Sequence, residues 1–150
     1  MATALGYGVM AGFFFSVSFV VMRSLGRLPA AQGIAAMQSI NVNVVNPWFL
    51  GTFIGTAVAS VALAIVSLFK LGEPFSVYHL VAAALYLGVI VLTGTYHIPR
   101  NDALAALDPT TAEAARYWAE YLVDWTRWNH VRALAPLAAL GSLILSLRLR

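Results

Sequence analysis

Cysteine is absent from this 150-residue chain, and charged residues make up only 10% of it. The lack of cysteine excludes disulfides, thiolate metal sites and cysteine nucleophiles. It gives no information about the cellular compartment of the protein. The charged fraction is far below the roughly 25% of an ordinary soluble domain, while the hydrophobic fraction of 61% exceeds the usual ~45–50%. A soluble domain of this size could not bury so much apolar surface. The composition therefore predicts an integral membrane protein.

A basic stripe is also missing. The formal net charge is +3 and the pI is near 9.6, but the nine basic residues are spread over the whole chain. Nucleic acid is therefore not an expected partner. Glycine-rich phosphate loops and G-x-S-x-G elbows do not occur either. The serines lie in apolar stretches without a matching base, which argues against a hydrolase.

Four apolar runs are long enough to cross a bilayer, which takes roughly 20 residues. They cover residues 5–22, 47–69, 78–95 and 131–147. These runs predict one all-α domain over residues 1–150, an integral-membrane four-helix bundle with additional helical connections on one side. An even number of spans puts both termini on the same side. The expected location is multi-pass in a lipid bilayer, the inner (plasma) membrane if the source is bacterial.

Local signals indicate where the helices begin and end. Asn46 is a plausible N-cap with Pro47 at the first helical position of the second span. The third span is expected to break before Pro99. Thr110 and Glu113 form a T-x-x-E capping box, which predicts one long helix that continues into the fourth span.

Small residues recur at helix-packing spacing in the first two spans. Gly8 and Gly12 form one GxxxG motif, and Gly51 and Gly55 form another, extended by Ala59. The main interpretation is tight packing inside the bundle. A homodimer through the same faces is the alternative.

Polar residues near the apolar spans are functional candidates because they are costly there. They gather at one membrane face: Gln38, Asn41, Asn43 and Asn46 before the second span, His97, Arg100, Asn101 and Asp102 after the third, and Asn129, His130 and Arg132 entering the fourth. Trp48, Trp125 and Trp128 lie nearby. The opposite side offers almost nothing polar. This distribution predicts a pocket with aromatic walls and a polar end, suited to a lipophilic small molecule.

Each of these residues also has a structural explanation. Asn46 can serve simply as a helix cap, and Asn101 can cap a short helix that follows it. The tryptophans can form an interfacial belt, and His130 and Arg132 can meet lipid headgroups.

A metal site is a further alternative. His97 and His130 with Asp102 would resemble a facial-triad iron site, but no pair of ligands has helical metal spacing. We therefore expect no cofactor, with non-haem iron or copper as the alternative.

Three stretches resemble the anthrone-oxygenase-like family of small four-span membrane proteins. They are MQSINVNVVNPWF (37–49), TYHIPRNDALAALD (95–108) and WTRWNHVRALA (125–135). The last contains W-x-x-x-N-x-x-R. The middle stretch matches N-x-P-x-N-x-x-L at Pro99, Asn101 and Leu104, while His97 stands in place of the first Asn.

Fungal members of that family are associated with oxidation of anthrones to anthraquinones, so the resemblance implies O₂-dependent oxidation in a lipophilic pocket. That reaction is plausible without a cofactor, because a base can form a carbanion that reduces O₂. His97 or His130 would be the base, and Asn101, Asn129 and Arg132 would hold the developing oxyanion. The substrate-binding residues would be Gln38, Asn41, Asn46, Trp48, Trp125 and Trp128.

The leading hypothesis is therefore a membrane-embedded oxygenase or oxidoreductase that acts on an anthrone- or quinone-like aromatic substrate with O₂. A histidine base, with an ordinary pKa near 6.5, predicts activity that rises with pH through that region. The alternatives are a non-catalytic lipid- or small-molecule-binding membrane protein and a structural or assembly subunit.

Overall fold

A computed structural model describes residues 1–149, and within them the chain contains helices and short turns but no strand. The prediction of an all-α fold is confirmed. The helices are α1 (Ala2–Leu25), α2 (Ala30–Asn43), α3 (Pro47–Leu68), α4 (Phe75–Ala105) and α5 (Ala112–Ser146), which ends in a 3₁₀ turn (Leu147–Leu149).

Four of these helices form a closed ring. Helices α1 and α4 each pack against both α3 and α5, so α1 lies diagonally across from α4. All four are long and apolar enough to cross a membrane. The chain is therefore an integral membrane helical bundle. The short helix α2 lies at one end of the ring, against the last part of α4 and the first part of α5.

The predicted cap of α3 is confirmed. The side-chain oxygen of Asn46 accepts hydrogen bonds from the backbone N–H groups of Trp48 (3.1 Å) and Phe49 (3.0 Å), and Pro47 occupies the first turn. These contacts satisfy N–H groups that have no partner within the helix. Local sequence is enough to set this helix start.

The predicted capping box of α5 is wrong by one residue. Thr111 caps the helix by accepting from the backbone N–H of Ala114 at 3.2 Å. Thr110 belongs to the preceding turn, where its N–H and hydroxyl both donate to the Asp108 carboxylate. These two hydrogen bonds lower the pKa of Asp108. The expectation of one long helix that runs into the fourth span is nevertheless confirmed.

Helix α4 does not break before Pro99. A π-helical turn (Thr93–His97) comes directly before it, and the helix then continues as Ile98–Ala105. Pro99 therefore lies in the first turn of the α-helical segment that follows the π-helical turn, where the missing N–H of proline is tolerated. The alternative that Asn101 caps a separate short helix is wrong, because Asn101 lies inside α4.

The GxxxG motifs pack inside the bundle only at Gly8, where an added β-carbon would lie 3.7 Å from the side chain of Leu140 in α5. A β-carbon added at Gly12, Gly51 or Gly55 would find open space. The close approach of α1 to α3 occurs at Gly6 instead, where a β-carbon would overlap the side chain of Thr56. Spacing alone cannot show which face of a helix meets its neighbour. The homodimer through these glycines stays a prediction.

The end of the bundle away from α2 contains a buried polar cluster that the sequence interpretation missed. The ring of His79 lies between two serine hydroxyls, with Nδ1 3.2 Å from Ser67 and Nε2 3.1 Å from Ser146. These contacts connect α3, α4 and α5. The expectation that this side offers almost nothing polar is wrong.

Both ends of the chain should be accessible from the same side of the membrane. Because the native chain has no cysteine, Thr3→Cys and Leu149→Cys each introduce a single reporter thiol. Labelling of intact cells with a membrane-impermeant maleimide should give the same result for both variants, either labelled or protected. Labelling of one variant and protection of the other would contradict a four-span topology.

Candidate functional site

A layer of polar side chains separates two hydrophobic cores. The core of the bundle contains Phe14, Tyr86, Val89 and Ala133, and the core beside α2 contains Met22, Met37, Leu104 and Trp118. The polar layer between them consists of Ser18 from α1, Thr93 and His97 from α4, and Asn129 and Arg132 from α5. Polar groups this far inside an apolar structure are unusual, so the polar layer is the candidate functional site.

Asn129 organises the polar layer. It is 0% exposed, and its Nδ2 donates to the backbone oxygen of Phe14 (2.9 Å) and to the hydroxyl of Ser18 (2.8 Å). Its Oδ1 accepts from Nε (3.0 Å) and Nη2 (2.8 Å) of Arg132. The amide therefore ties α5 to α1 and fixes the direction of the guanidinium group.

Arg132 is a buried cation without a carboxylate partner. It is 6% exposed, and no acidic side chain in residues 1–149 forms an ion pair with it. Apart from Asn129, its guanidinium approaches the hydroxyl of Thr93 (3.5 Å) and lies over the rings of Phe14 (4.6 Å) and Trp125 (5.0 Å). Burial of an ion costs several kcal/mol unless an opposite charge compensates it. The site therefore favours an anionic group.

A small cavity of about 60 Å³ borders the guanidinium. Its polar lining comes from Asn41, Asn101 and Arg132, and Phe13, Phe14, Phe49 and Trp125 are among its apolar lining. Since one water needs about 10–15 Å³ of volume measured in this way, this space holds a few water-sized groups, such as a carbonyl oxygen or O₂, but not a fused aromatic ring system. The cavity fits the reacting end of a ligand.

Two asparagines contribute differently to this cavity. The Oδ1 atom of Asn101 accepts from the hydroxyl of Tyr121 (2.7 Å) and from the indole N–H of Trp125 (2.8 Å). The Nδ2 atom of Asn41 is buried close to Tyr121 and makes no well-aligned hydrogen bond with residues 1–149. Asn41 therefore has a donor left for a ligand oxygen, whereas the acceptor of Asn101 is already used.

Helices α1 and α4, which both contribute residues to the polar layer, each contain a π-helical turn at this level of the bundle. The turn in α1 (Val17–Val21) carries Ser18, and the turn in α4 (Thr93–His97) carries Thr93 and His97. Such turns are rare in α-helices and occur frequently at functional sites. Sequence reasoning did not predict them, and it also missed Ser18 and Thr93, because hydroxyl residues in an apolar run give no signal of their own.

The two candidate bases occupy different surroundings. His97 is 0% exposed, its Nδ1 lies 3.4 Å from the backbone oxygen of Leu92, and its ring packs edge-on against Trp125. His130 instead stacks on Phe19, beside a groove of about 590 Å³ between α1 and α5. Each ring has one buried nitrogen without a hydrogen bond in residues 1–149, Nε2 in His97 and Nδ1 in His130.

Several predicted site residues lie apart from the polar layer. Gln38 donates to the backbone oxygens of Leu104 and Leu107, and so ties α2 to the end of α4. Asn46 caps α3. Trp48 is 88% exposed, and Trp128 packs against Tyr96 on the outer surface.

The positions of the side chains do not favour the alternative of a metal site. No group of three or more His, Asp or Glu residues within residues 1–149 is arranged to hold a metal ion. Asp102 is exposed, and His97 and His130 lie in the separate surroundings described above.

The fold and the polar layer define an integral membrane helical protein with a buried cationic cluster around Arg132. A profile of the family described as "Anthrone oxygenase" matches residues 44–142. The chain therefore belongs to the anthrone oxygenase family. The matched region contains α3, α4 and most of α5, and with them His97, Asn101, Asn129 and Arg132. Searches of curated proteins and of solved structures gave no match.

Proposed function

We propose that this protein is a membrane-embedded oxygenase that oxidises a lipophilic, anthrone- or quinone-like aromatic substrate with O₂. The observation that carries the proposal is the buried guanidinium of Arg132, which has no carboxylate partner among residues 1–149 and borders a cavity lined by amides. Preorganised donors of this kind stabilise negative charge that develops on a substrate oxygen. Family membership supports the same class of reaction.

The proposed reaction begins with loss of a proton. A base removes one hydrogen of the substrate's activated methylene group, and the electron pair delocalises onto the carbonyl oxygen, which Arg132 and Asn41 stabilise as an oxyanion. The carbanion then reduces O₂ and forms a carbon–oxygen bond. The resulting peroxide anion takes the proton back from the base, and the hydroperoxide then loses water and leaves a second carbonyl. One methylene group and one O₂ thus give one carbonyl group and one water.

The rings of the substrate need more room than the cavity beside Arg132 provides. Phe13 and Phe49, whose ring centroids lie 5.0 Å apart, line the cavity where α1 and α3 meet, and Phe13 is 36% exposed. Displacement of these two rings would join the cavity to the bilayer. In this arrangement the reacting oxygen enters the cavity and the remaining rings stay between α1 and α3.

The location of the protein follows from the same proposal. A substrate with several fused rings partitions into the bilayer, so the enzyme meets it there without extraction into water. In a bacterial cell the membrane would be the inner one.

Isotope labelling tests the reaction. Purified protein in lipid nanodiscs, given anthrone under ¹⁸O₂, should form anthraquinone that carries one ¹⁸O atom, faster than nanodiscs without protein. Spontaneous oxidation gives the same label, so the protein-dependent rate is the decisive quantity. Equal rates with and without protein would exclude anthrone oxidation as the activity.

A further inference from the structure

A second cleft runs along the outer side of α4 and α5, away from the polar layer. Its apolar part has a volume of about 450 Å³ and is lined by aliphatic residues that include Val81 and Leu92 of α4 and Val131 of α5. Gly88 leaves space in its floor, because a β-carbon there would meet nothing within 4 Å. This part of the cleft has the shape and polarity to hold a hydrocarbon chain.

The cleft continues into a polar part of about 470 Å³. Val131 lines both parts, and the polar part also contains Tyr96, Arg100, Asp124, Arg127 and Trp128. The aromatic rings of Tyr96 and Trp128 pack against each other with centroids 5.3 Å apart. Tyrosine and tryptophan are enriched at the level of lipid headgroups, so this end of the cleft matches a membrane interface.

The length of the cleft matches one leaflet. Leu92 lies eleven residues after Val81, which corresponds to about 16 Å along a helix. Half of a hydrocarbon core of about 30 Å is about 15 Å. Arg100 lies two further turns along α4, beyond the apolar part. A chain that occupies the apolar part therefore places its head group beside Arg100.

The polar part of the cleft has an excess of positive charge. The guanidinium of Arg100 lies 3.7 Å above the ring of Tyr96, which holds it at the cleft. Neither Arg100 nor Arg127 forms an ion pair within residues 1–149, so their N–H donors remain available. Asp124 contributes one negative charge, so the residues that line this part carry a net charge of +1, while Glu120 lines an adjoining pocket together with Arg100. The two guanidinium groups without ion pairs suit a phosphodiester with a single negative charge.

We propose that this cleft binds one molecule of a monoanionic phospholipid, with the phosphate at Arg100 and Arg127 and an acyl chain over Gly88. The proposal does not depend on the oxygenase reaction, because none of these side chains belongs to the polar layer. The shared chemistry of the ligand is a phosphate ester. The apolar part of the cleft distinguishes a lipid from a free phosphate.

Native mass spectrometry of the delipidated protein can measure this binding directly. We expect phosphatidylglycerol to bind about five- to thirty-fold more tightly than phosphatidylcholine, given one to two net basic contacts. Phosphatidylethanolamine should resemble phosphatidylcholine, and glycerol phosphate and inorganic phosphate should not compete at the same concentrations. Equal binding of the three lipids, or equal competition by free phosphate, would overturn the proposal.

Variants separate the two parts of the cleft. Arg100→Gln combined with Arg127→Gln should abolish the preference for phosphatidylglycerol, whereas Arg116→Gln, on an exposed part of α5, should preserve it. Gly88→Leu should weaken binding of every lipid, and Gly51→Leu, where a side chain also meets open space, should not. If the double arginine variant kept the preference, or if both leucine variants behaved alike, the cleft would not be the binding site.

Discussion

Replacement of Arg132 by methionine is expected to lower the protein-dependent rate of anthrone oxidation by about 100- to 1,000-fold, the usual effect of removing an oxyanion-stabilising donor. The loss should appear mainly in kcat, because negative charge on the substrate oxygen develops during the reaction. Rates are measured in nanodiscs, with spontaneous oxidation subtracted.

The same substitution should leave the protein at least as stable as the wild type. Removal of the guanidinium leaves Oδ1 of Asn129 without a partner, which costs about 1–3 kcal/mol. It also removes the cost of burying an unpaired charge, which is several kcal/mol. Low activity together with unchanged or higher thermal stability is the expected pattern for a residue kept for function.

Two further variants sharpen this prediction. Arg132→Lys retains the positive charge but loses the paired contact with Asn129, so it should recover part of the activity. Arg116→Met removes an exposed arginine from the same helix and should behave like the wild type. A stable, fully active Arg132→Met protein would mean that the guanidinium has no catalytic role.

His97→Gln is expected to lower the rate by about 100- to 10,000-fold, the typical contribution of a general base, while anthrone still binds. His97 lies in the polar layer and contacts Trp125, whose ring lies over the Arg132 guanidinium. His130→Gln is the matched variant, because His130 borders the groove between α1 and α5 instead. If only the His130→Gln variant lost activity, His130 would be the base and the substrate would bind in that groove.

The same rate measurements also test whether the reaction needs a metal. A proton-transfer mechanism without a metal predicts that prolonged treatment with a chelator leaves the rate unchanged. Loss of activity on chelation, restored by iron or copper, would replace this mechanism with a metal-dependent one.

Much of the fold could be predicted from the sequence because its determinants are local. Asn46 and Pro47 are adjacent, and a cap needs no other part of the chain. The apolar runs predict the spanning helices in the same way, since each helix satisfies its own backbone hydrogen bonds. The π-helical turns at 17–21 and 93–97 depend on how neighbouring helices pack, and no local pattern predicts them.

In the candidate site, helical periodicity predicts contacts within one helix but not contacts between helices. Asn129 and Arg132 are three residues apart, so helical periodicity places them on one face of α5, and their side chains are in contact. His130 is only one residue from Asn129, but each step along a helix rotates by about 100°, which turns it toward a different neighbour. The same rotation per residue could have predicted, from the sequence alone, that His130 and Arg132 face different neighbours. The ties of Asn129 to Phe14 and Ser18 join positions more than 100 residues apart, and the sequence gives no sign of them.

The central claim is that the cavity beside Arg132 stabilises the oxyanion of the substrate, and an anaerobic spectroscopic titration tests it most directly. Without O₂ the reaction stops after proton loss, and the anthrone enolate absorbs at longer wavelength than neutral anthrone. Wild-type protein in nanodiscs should accumulate one bound enolate per chain at a pH where free anthrone stays neutral, and Arg132→Met should accumulate none. Enolate formation that is equal in the two proteins, or absent from the wild type although anthrone binds, would contradict the account.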